Sequence, residues 1–297
     1  MASPLVACVV VVYRQSDAEL IRFLTQLDRL TYQPRVSVLV NNDRSRSLEH
    51  LVPLLSSSRV EVVTNDANGG WTAGVNGGAR AGLALGADYF LFLNTDIAIC
   101  SSDLIEELLA PFAHLPRCGL VSPTICYQAR PDRVWYGGAT ISKTTWVPRH
   151  QHMGGRWRRG GDPWRYTGLA CGCCCCVPAR VWTEVGGADT RLFMYFDDAD
   201  LSLRARRLGW SSVVVDQPLI LHDKHGRRLS SLEAYYFGRN PFVLMHTHGR
   251  AAQRVTGVLA QLLAAPFYLH RCDGWAARRR YLAGLRDGLL WILSSAQ

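Results

Sequence analysis

The chain has 297 residues, 48% of them hydrophobic and 19% charged, and its formal net charge is +9. This composition supports a packed core, which argues against a disordered chain and fits one large α/β domain or two small ones. No run reaches the roughly 18–20 consecutive apolar residues of a membrane-spanning helix, so the sequence argues against an integral membrane protein.

Strand and helix patterns alternate through the N-terminal part. Continuous apolar runs predict strands buried on both faces, and apolar residues at helical spacing predict helices. The expected strands cover residues 5–13, 35–40, 60–64 and 89–93, and the expected helices cover residues 17–30, 73–86 and 101–113, the last capped by its Ser-Ser-Asp start. This order predicts an α/β fold with a mostly parallel sheet, in which ligands bind at the carboxyl ends of the strands.

The rest of the chain is less regular. Residues 127–168 are rich in Gly, Trp, Arg and Pro, which predicts loops and short strands over the site. In the amphipathic helix expected over 197–208, Leu208 should face inward and Arg204 outward. The other expected elements are a short helix over 182–186, strands over 211–215 and 219–222, and helices after residue 226. We therefore expect a domain over residues 1–225 and a helical extension over 226–297.

Cysteine usage and the N-terminus both favour a cytoplasmic protein. Five of the ten cysteines fall within residues 171–176, without the second pair or the His pair of a zinc site. We interpret them as small buried apolar residues in a reducing compartment. The first fifteen residues lack the basic region and the cleavage site of a signal peptide.

Candidate metal ligands follow two apolar strands. Asp96 ends the run FLFLNTD, and a carboxylate at such a strand end is a good ligand for a hard divalent cation, although a turn or helix start also explains it. His222 ends another apolar run and is a candidate second ligand, with His225 as a competitor.

A cluster of three carboxylates lies in FMYFDDADLSLRARRLGW. Asp197, Asp198 and Asp200 repel one another unless a cation or Arg groups compensate. The dipole of the helix that they begin explains one of them as a cap, but not all three. A carboxylate in a partly dry cleft is suited to accept a proton from a hydroxyl group.

The Gly-rich segment over residues 68–78 opens a predicted helix. Its backbone N–H groups are suited to face a phosphate or a ribose. The segment lacks the Walker pattern, which excludes a P-loop, and it does not follow the first strand as G-x-G-x-x-G, which disfavours a dinucleotide-binding fold.

Together and in this order, the motifs resemble an inverting family 2 glycosyltransferase of the GT-A fold. The motifs that carry the resemblance are the VVVVY strand, N-x-G-x-x-x-G-x-N from Asn68, LNTD, EVGGADTRLFMYFDDADLSLRARRLGW, His222 and YYFGRN. The resemblance covers about residues 5–245. It is nearest to rhamnosyltransferases and galactofuranosyltransferases that build bacterial surface glycans, and it implies a Rossmann-like sheet flanked by helices.

The resemblance also implies roles for individual residues. Asp198 matches the catalytic base, and Asp96 and His222 match the ligands of a Mg²⁺ or Mn²⁺ ion. The positions that match the nucleotide-sugar side are Tyr13, Asn41, Asp43, Asn68, Gly70, Asn76, Asn94 and Thr95. The positions assigned to the acceptor or diphosphate side are Trp71, Asp197, Asp200, Arg239 and Asn240.

Two departures from the family pattern bear on these roles. Asn94 stands where the family's D-x-D element has its first acid, which leaves one carboxylate. The family's Val-Asp-Asn appears as Val40-Asn41-Asn42-Asp43, so either Asn41 replaces the acid or Asp43 serves after a shift.

The implied reaction is a one-step inverting transfer from a nucleoside-diphosphate sugar. Rhamnose from a dTDP donor is the first expectation, and galactofuranose or another sugar from a UDP donor is the alternative. The implied acceptor is a glycan or a polyprenyl-linked glycan of the bacterial cell surface. The sequence leaves the oligomeric state undetermined.

The basic C-terminal segment favours an anionic partner. Residues 226–297 carry 10 basic and 3 acidic side chains, a net charge of +7, against +2 for residues 1–225. Residues 255–269 are apolar, and Arg271, Arg278 and further arginines follow. This pattern predicts peripheral contact with the inner face of the cell membrane. A helix packed on the catalytic domain, or in a dimer, is the alternative.

Three other function classes fit less well. A nucleotidyltransferase normally has a Gly-rich, basic signature at the first strand, which Tyr13-Arg14-Gln15 does not provide. An inactive glycan-binding scaffold draws support from Asn94 but not from the intact acidic cluster. A nucleic-acid binder would use the basic tail, but no helix-turn-helix, zinc-finger or RNP pattern accompanies it, so we expect no nucleic-acid partner.

Overall fold

The computed structural model describes residues 3–223 and 228–294. Its twelve strands, in chain order from β1 to β12, are Val6–Val12, Arg35–Asn41, Arg59–Thr64, Tyr89–Leu93, Ile97–Ile99, Cys118–Tyr127, Arg130–Tyr136, Ala139–Ile141, Pro148–His150, Trp164–Thr167, Cys174–Pro178 and Ser211–His222.

Eight α-helices and one short 3₁₀ segment connect and cover these strands within the described ranges. From α1 to α8 the helices are Asp17–Asp28, Gly70–Ala84, Leu104–His114, Ala179–Val185, Asp197–Arg207, Ser231–His248, Ala251–Arg271 and Gly274–Ser294. The 3₁₀ segment is Glu49–Leu54.

The central sheet has the order β10-β12-β6-β11-β4-β1-β2-β3. The four N-terminal strands β4, β1, β2 and β3 are parallel, as the alternating pattern predicts. The expected parallel pairing holds there and again where β12 pairs with β6. Strand β11 lies antiparallel between β4 and β6, and β10, β5 and β7 also pair antiparallel, so the whole sheet is mixed.

The parallel strands carry the core. β1 is almost completely buried because β2 and β4 flank it and helices cover both faces. Gly74, Gly78 and Gly82 of α2 lie buried against it, as expected of an Ala/Gly-rich helix that packs close to a sheet. Nine cysteines are buried, and Cys174, Cys175 and Cys176 form most of β11, which confirms their interpretation as core residues; Cys100 is exposed.

Three local expectations are wrong. The strands expected over 211–215 and 219–222 form one strand, β12, whose irregular register against β6 lets it continue past Pro218. Leu208 is 44% exposed, whereas Arg204 turns inward to a buried carboxylate. Asp103 is the N-cap residue of α3 but makes no capping hydrogen bond with its side chain.

The C-terminal helices are tied to the preceding part of the chain. α6 and α8 pack side by side, and α6 contacts the segment before α5. The boundary expected at residues 225 and 226 lies outside the described residues, so the two-domain division stays a prediction. Among the described helices, none is apolar enough over a sufficient length to cross a bilayer.

Candidate functional site

A cavity of about 740 Å³ opens at the carboxyl ends of β1 and β4, where sequence analysis expects a ligand. Its wall includes seven of the predicted site residues: Tyr13, Asn68, Gly70, Trp71, Asn94, Thr95 and Asp96. They come from three segments that are far apart in the chain and meet because the parallel strands end on the same edge. The cavity walls also include Arg14, Asn42, Phe193 and Met194.

Asn94, in the turn after β4, is held by hydrogen bonds on two sides. Its backbone N–H donates to the Cys173 carbonyl at 3.0 Å, and its side-chain oxygen accepts from the Trp71 indole N–H at 3.0 Å. That oxygen is therefore engaged by Trp71. Asn94 replaces the first acid of the family motif and shapes the turn instead of presenting a second carboxylate.

Asp96 and His222 face each other at the end of the sheet. His222 Nε2 lies 3.6 Å from Asp96 Oδ2, and the Asp96 side chain is 52% exposed, whereas the imidazole is buried. The imidazole stacks on the Trp135 ring with centroids 4.4 Å apart. The structure brings the two predicted metal ligands together. His225, the competing candidate, lies outside the described residues.

Asp96 and His222 are the two described side chains that could share a metal ion here. Across residues 3–223 and 228–294, no group of three His, Cys, Asp or Glu side chains converges on a common metal position. A carboxylate with an imidazole beside an open cavity still suits a divalent ion that takes its remaining ligands from phosphate oxygens and water.

The Gly-rich turn closes the cavity next to Phe193. Asn68 Oδ1 accepts from the Gly70 backbone N–H at 2.9 Å, and Gly70 has a φ of +76°. A Cβ atom at Gly70 would collide with the Phe193 carbonyl and ring, so the position requires glycine. Thr72 donates from its backbone N–H to the Phe193 carbonyl at 3.2 Å. The start of α2 thus fixes the loop before α5.

Asn41 and Asp43, the alternatives for the nucleotide-side acid, do not line the cavity. Asn41 is buried, donating to the Arg46 carbonyl and accepting from the Asp43 backbone N–H at 2.9 Å. Asp43 accepts from the backbone N–H and the hydroxyl of Ser45. The residue that lines the cavity is Asn42, which donates to the Gly70 carbonyl at 2.9 Å. Asn42 reaches the cavity where its two neighbours do not, because consecutive side chains at a strand end point in different directions.

Asn76, expected on the nucleotide-sugar side, also lies outside the cavity wall. Its side-chain amide donates to the Ala188 carbonyl and accepts from the Ala188 backbone N–H, both at 2.9 Å. It does not line the cavity and instead clamps α2 to the Gly-Gly-Ala turn.

The segment before α5 is strained. Phe193, Tyr195 and Phe196 have φ values of +63°, +62° and +65°, a region that costs bulky residues energy. Asn240, fully buried in α6, offsets this by donating from its side-chain amide to the carbonyls of Leu192, Met194 and Tyr195.

Arg239 and Asn240 thus act behind the site. Arg239 donates to the Arg191 carbonyl at 2.7 Å and to the Asn240 side-chain oxygen at 2.9 Å. Neither residue lines the cavity. The predicted acceptor-side or diphosphate-side pair instead holds the segment that carries Phe193 and Met194 into it.

Asp198 is the second residue of α5, which follows this segment in the chain. Its carboxylate accepts from the Gly172 N–H at 3.1 Å and from the Ala199 N–H at 2.8 Å. Burial raises the pKa of Asp198 above its ordinary value, although these two hydrogen bonds oppose the shift. Asp198 is not in the wall of the cavity, but Gly172 is followed by Cys173, whose carbonyl holds Asn94. One short segment therefore contacts both the acid and the cavity turn.

Asp197 and Asp200 occupy two other environments. Burial and the adjacent charge of Asp198 raise the pKa of Asp197 well above its ordinary value. Asp200 is 1% exposed and accepts from Arg204 Nε at 2.7 Å and from His248 Nε2 at 2.8 Å. Burial alone would raise the pKa of Asp200, but His248 and Arg204 outweigh it and lower the pKa. Asp200, predicted on the acceptor side, instead joins α5 to α6.

Sequence reasoning missed three residues around Asp198 and Asp96. A Cβ atom at Gly172 would lie 3.2 Å from the Asp198 Cβ. In the sequence, this close approach is indicated only by a single glycine within the cysteine run. Trp135 lies between two imidazoles, stacked on His222 and edge-on to His150 at 4.7 Å. Burial lowers the pKa of His150, although its hydrogen bond to the Trp135 carbonyl and the charge of Asp198 oppose the shift.

The chain is similar to known proteins at three levels. The sequence profile described as "Glycosyltransferase like family 2" matches residues 4–237. The N-acetylglucosaminyl-diphospho-decaprenol L-rhamnosyltransferase of Mycobacterium tuberculosis is 28% identical over 265 aligned positions, which cover 82% of this chain and 81% of that protein.

Two solved structures share the fold. GalNAc-T7 with UDP, GalNAc and Mn²⁺ superposes with a TM-score of 0.64 at 14% identity, covering 98% of this chain and 57% of its own. The mannosyltransferase PcManGT from Pyrobaculum calidifontis, in complex with GDP-Man and Mn²⁺, has a TM-score of 0.54 at 14% identity, covering 99% and 85%. The chain thus spans just over half the length of the GalNAc-T7 chain.

Proposed function

The chain belongs to the glycosyltransferase-like family 2 and has the GT-A fold, and from that premise we propose that it transfers rhamnose from dTDP-rhamnose to a polyprenyl-linked glycan. The product belongs to a bacterial cell-surface polysaccharide. The observation that carries the proposal is the cavity at the carboxyl ends of β1 and β4, with a half-exposed carboxylate at its edge and a desolvated carboxyl group behind it.

The choice of sugar and acceptor rests on the mycobacterial relative. That protein is a rhamnosyltransferase whose name gives a decaprenol-linked acceptor, and the similarity extends over four-fifths of both chains. A lipid carrier also suits a cytoplasmic enzyme in contact with the inner face of the cell membrane, where the basic C-terminal helices meet anionic lipid.

The proposed reaction is an in-line displacement at the anomeric carbon of the sugar. Asp198 takes the proton of the attacking acceptor hydroxyl, because its raised pKa makes it a stronger base than an exposed aspartate. Burial and the charge of Asp198 raise the pKa of the neighbouring Asp197 well above its ordinary value, which disfavours a second charge beside the base. A single displacement inverts the configuration at the anomeric carbon.

Asp96 and His222 would hold a Mg²⁺ or Mn²⁺ ion together with the diphosphate of the donor. The fit rests on their 3.6 Å separation and on the exposure of Asp96 to the cavity. When bound, such an ion neutralises the charge that develops on the leaving diphosphate. Trp71 fixes the turn that carries Asp96, and Trp135 fixes the orientation of the His222 ring.

Two alternative functions would use the same cavity. A UDP-galactofuranosyl or other UDP-sugar transferase would use the same carboxylates with a different nucleobase and sugar. An inactive glycan-binding scaffold would keep the cavity without turnover, and the Asn94 substitution favours it.

A thermal-shift panel with UDP, dTDP and GDP, each with Mn²⁺ and with EDTA, tests the proposal. A ligand at about 100 times its Kd adds about 2.7 kcal/mol, which shifts the Tm by several degrees. The proposal predicts stabilisation by dTDP that EDTA removes. Stabilisation by UDP alone would favour the galactofuranosyl alternative. No response to any nucleotide would contradict the assignment of the cavity as a donor site.

A further inference from the structure

Helix α7 presents an apolar face to solvent. Five large apolar side chains are exposed at helical spacing: Val255, Leu259, Leu262, Leu263 and Phe267. Leu263 is 83% exposed and Val255 63%. The remaining exposed positions between these ends are Thr256 and Pro266, so this face carries no charge over more than three turns.

The opposite side of α7 is fixed to the protein. Gly257 packs against the Trp146 ring and the Met245 side chain, and Gln261 donates to the Thr145 carbonyl. Gln261 and Tyr268 are buried on this side. The helix therefore cannot turn its apolar face inward without losing these contacts, and the exposed stripe is a fixed feature of the surface.

Basic and aromatic side chains mark the ends of the stripe. Exposed Arg250 precedes the helix, and the Arg271 guanidinium lies over the Phe267 ring at its other end, 5.8 Å from the centroid. Trp275 is 70% exposed just beyond it, and exposed Arg279 follows. An apolar strip bordered by arginines and aromatic rings is typical of helices that lie in a membrane interface.

We propose that the outward face of α7, residues 255–267, inserts into the headgroup region of an anionic phospholipid bilayer, with the helix axis parallel to the membrane. The charge complementarity selects this occupant over a second copy of the chain. The segment over residues 226–297, whose arginines border the face, carries a net charge of +7. Two copies packed face to face would bring these like charges together, whereas phosphatidylglycerol-type headgroups attract them.

The proposed membrane contact extends the proposed function, and its role in the reaction rests on that function. Gly257 of α7 packs on Met245 of α6, and Asn240 of α6 holds the strained segment before Asp198. Only one helix separates the lipid-facing surface from the residues that position the candidate base. The enzyme would thus meet a lipid-linked acceptor with the site at a fixed height above the bilayer.

Flotation of the full-length protein with vesicles tests the surface. Vesicles of equal parts phosphatidylcholine and phosphatidylglycerol are compared with pure phosphatidylcholine vesicles. The proposal predicts binding to the anionic vesicles, and Leu263→Glu should lower the partition coefficient by about tenfold or more. Leu83→Glu is the matched control, because Leu83 is an exposed leucine on α2 at 42% exposure, and it should float like the wild type.

The same variants are measured for Tm and for their nucleotide-induced thermal shift without vesicles. An unchanged Tm shows that Leu263→Glu is folded, and the nucleotide response reports on the donor site independently of lipid. Equal flotation of the wild type and Leu263→Glu would overturn the proposal, as would equal binding to both vesicle types. A wild-type dimer in light scattering that Leu263→Glu breaks, without flotation, would assign the face to a second copy instead.

Discussion

The turn after β4 and the first turn of α5 each carry an aspartate, Asp96 and Asp198, and the two carboxyl groups have opposite environments. Asp96 stands half in solvent at the edge of the cavity, beside an imidazole. Asp198 turns its carboxylate to the backbone N–H groups of Gly172 and Ala199, and burial raises its pKa. The first environment favours a charged ligand for cations, and the second favours a group that takes up a proton.

The difference shows that environment, not residue type, assigns the roles. Within α5 the pKa of Asp197 is raised well above its ordinary value, that of Asp198 is raised, and that of Asp200 is lowered by His248 and Arg204 despite burial. Three neighbouring aspartates therefore differ in how readily each binds a proton. Substituting an asparagine for each removes the charge with little change of shape and tests each assignment.

The largest effect is expected for Asp198→Asn. An amide cannot accept the acceptor's proton, so turnover should fall by about 10²–10⁴. Because the ionised base is required, the wild-type kcat should fall as the pH decreases through a pKa above 3.8, the ordinary value for Asp. Steady-state kinetics over a pH series measure both. Asp66→Asn, at a fully exposed aspartate, is the control and should be neutral. Wild-type turnover in Asp198→Asn would refute the assignment.

Asp200→Asn should affect stability more than chemistry. It breaks a buried contact with Arg204 and His248, which costs about 3 kcal/mol of unfolding free energy. The lowered pKa means that the ion pair stabilises the fold above pH 3.8 and is lost as the pH falls through the lower native pKa. Urea unfolding at several pH values measures this. A stable but inactive variant would return Asp200 to the acceptor side.

Asp96→Asn should weaken the use of metal rather than abolish folding. Loss of the exposed carboxylate leaves the His222 imidazole as the remaining member of the described pair, so the Mn²⁺ concentration for half-maximal activity should rise by about 10–100-fold. A Mn²⁺ titration of the transfer rate measures it. Asp223→Asn, at another acid in the cavity wall, is the comparison. An unchanged metal requirement in Asp96→Asn would move the ligand role to another residue.

The smallest effect is expected for Asp197→Asn. Burial and the charge of Asp198 raise the pKa of Asp197 and favour its neutral form, which an amide resembles in shape and charge, so turnover should stay within about tenfold of the wild type. A transfer assay run beside Asp198→Asn measures the contrast. A loss as large as that of Asp198→Asn would show that Asp197 is the ionised partner.

Much of this arrangement was predictable from the sequence. Apolar runs located the parallel strands within one or two residues. The strand end identified Asn94 and Asp96, and the family resemblance identified Tyr13, as residues of the site that line the cavity. The antiparallel insertion of β11 was not predictable, because a short cysteine-rich apolar run gives no direction. Asn41, Asp43 and Asn76 lie outside the cavity wall, because motif matching fixes a position in the chain but not the direction of a side chain.

Tertiary partners account for the other misses. The role of Asp200 depends on His248, 48 residues later, and that of Asn240 depends on a strained segment 45 to 48 residues earlier. No local pattern contains such pairs. Gly172 lies in a turn, and its contact is with Asp198 in helix α5.

The most direct test of the central claim, that the cavity turn binds the donor and the α5 turn takes the proton, is a calorimetric titration of dTDP with Mn²⁺. The wild type, Asp96→Asn and Asp198→Asn are compared. The account predicts a similar Kd for the wild type and Asp198→Asn, and a Kd at least about tenfold higher for Asp96→Asn. Loss of binding in Asp198→Asn, or unchanged binding in Asp96→Asn, would contradict this division of roles.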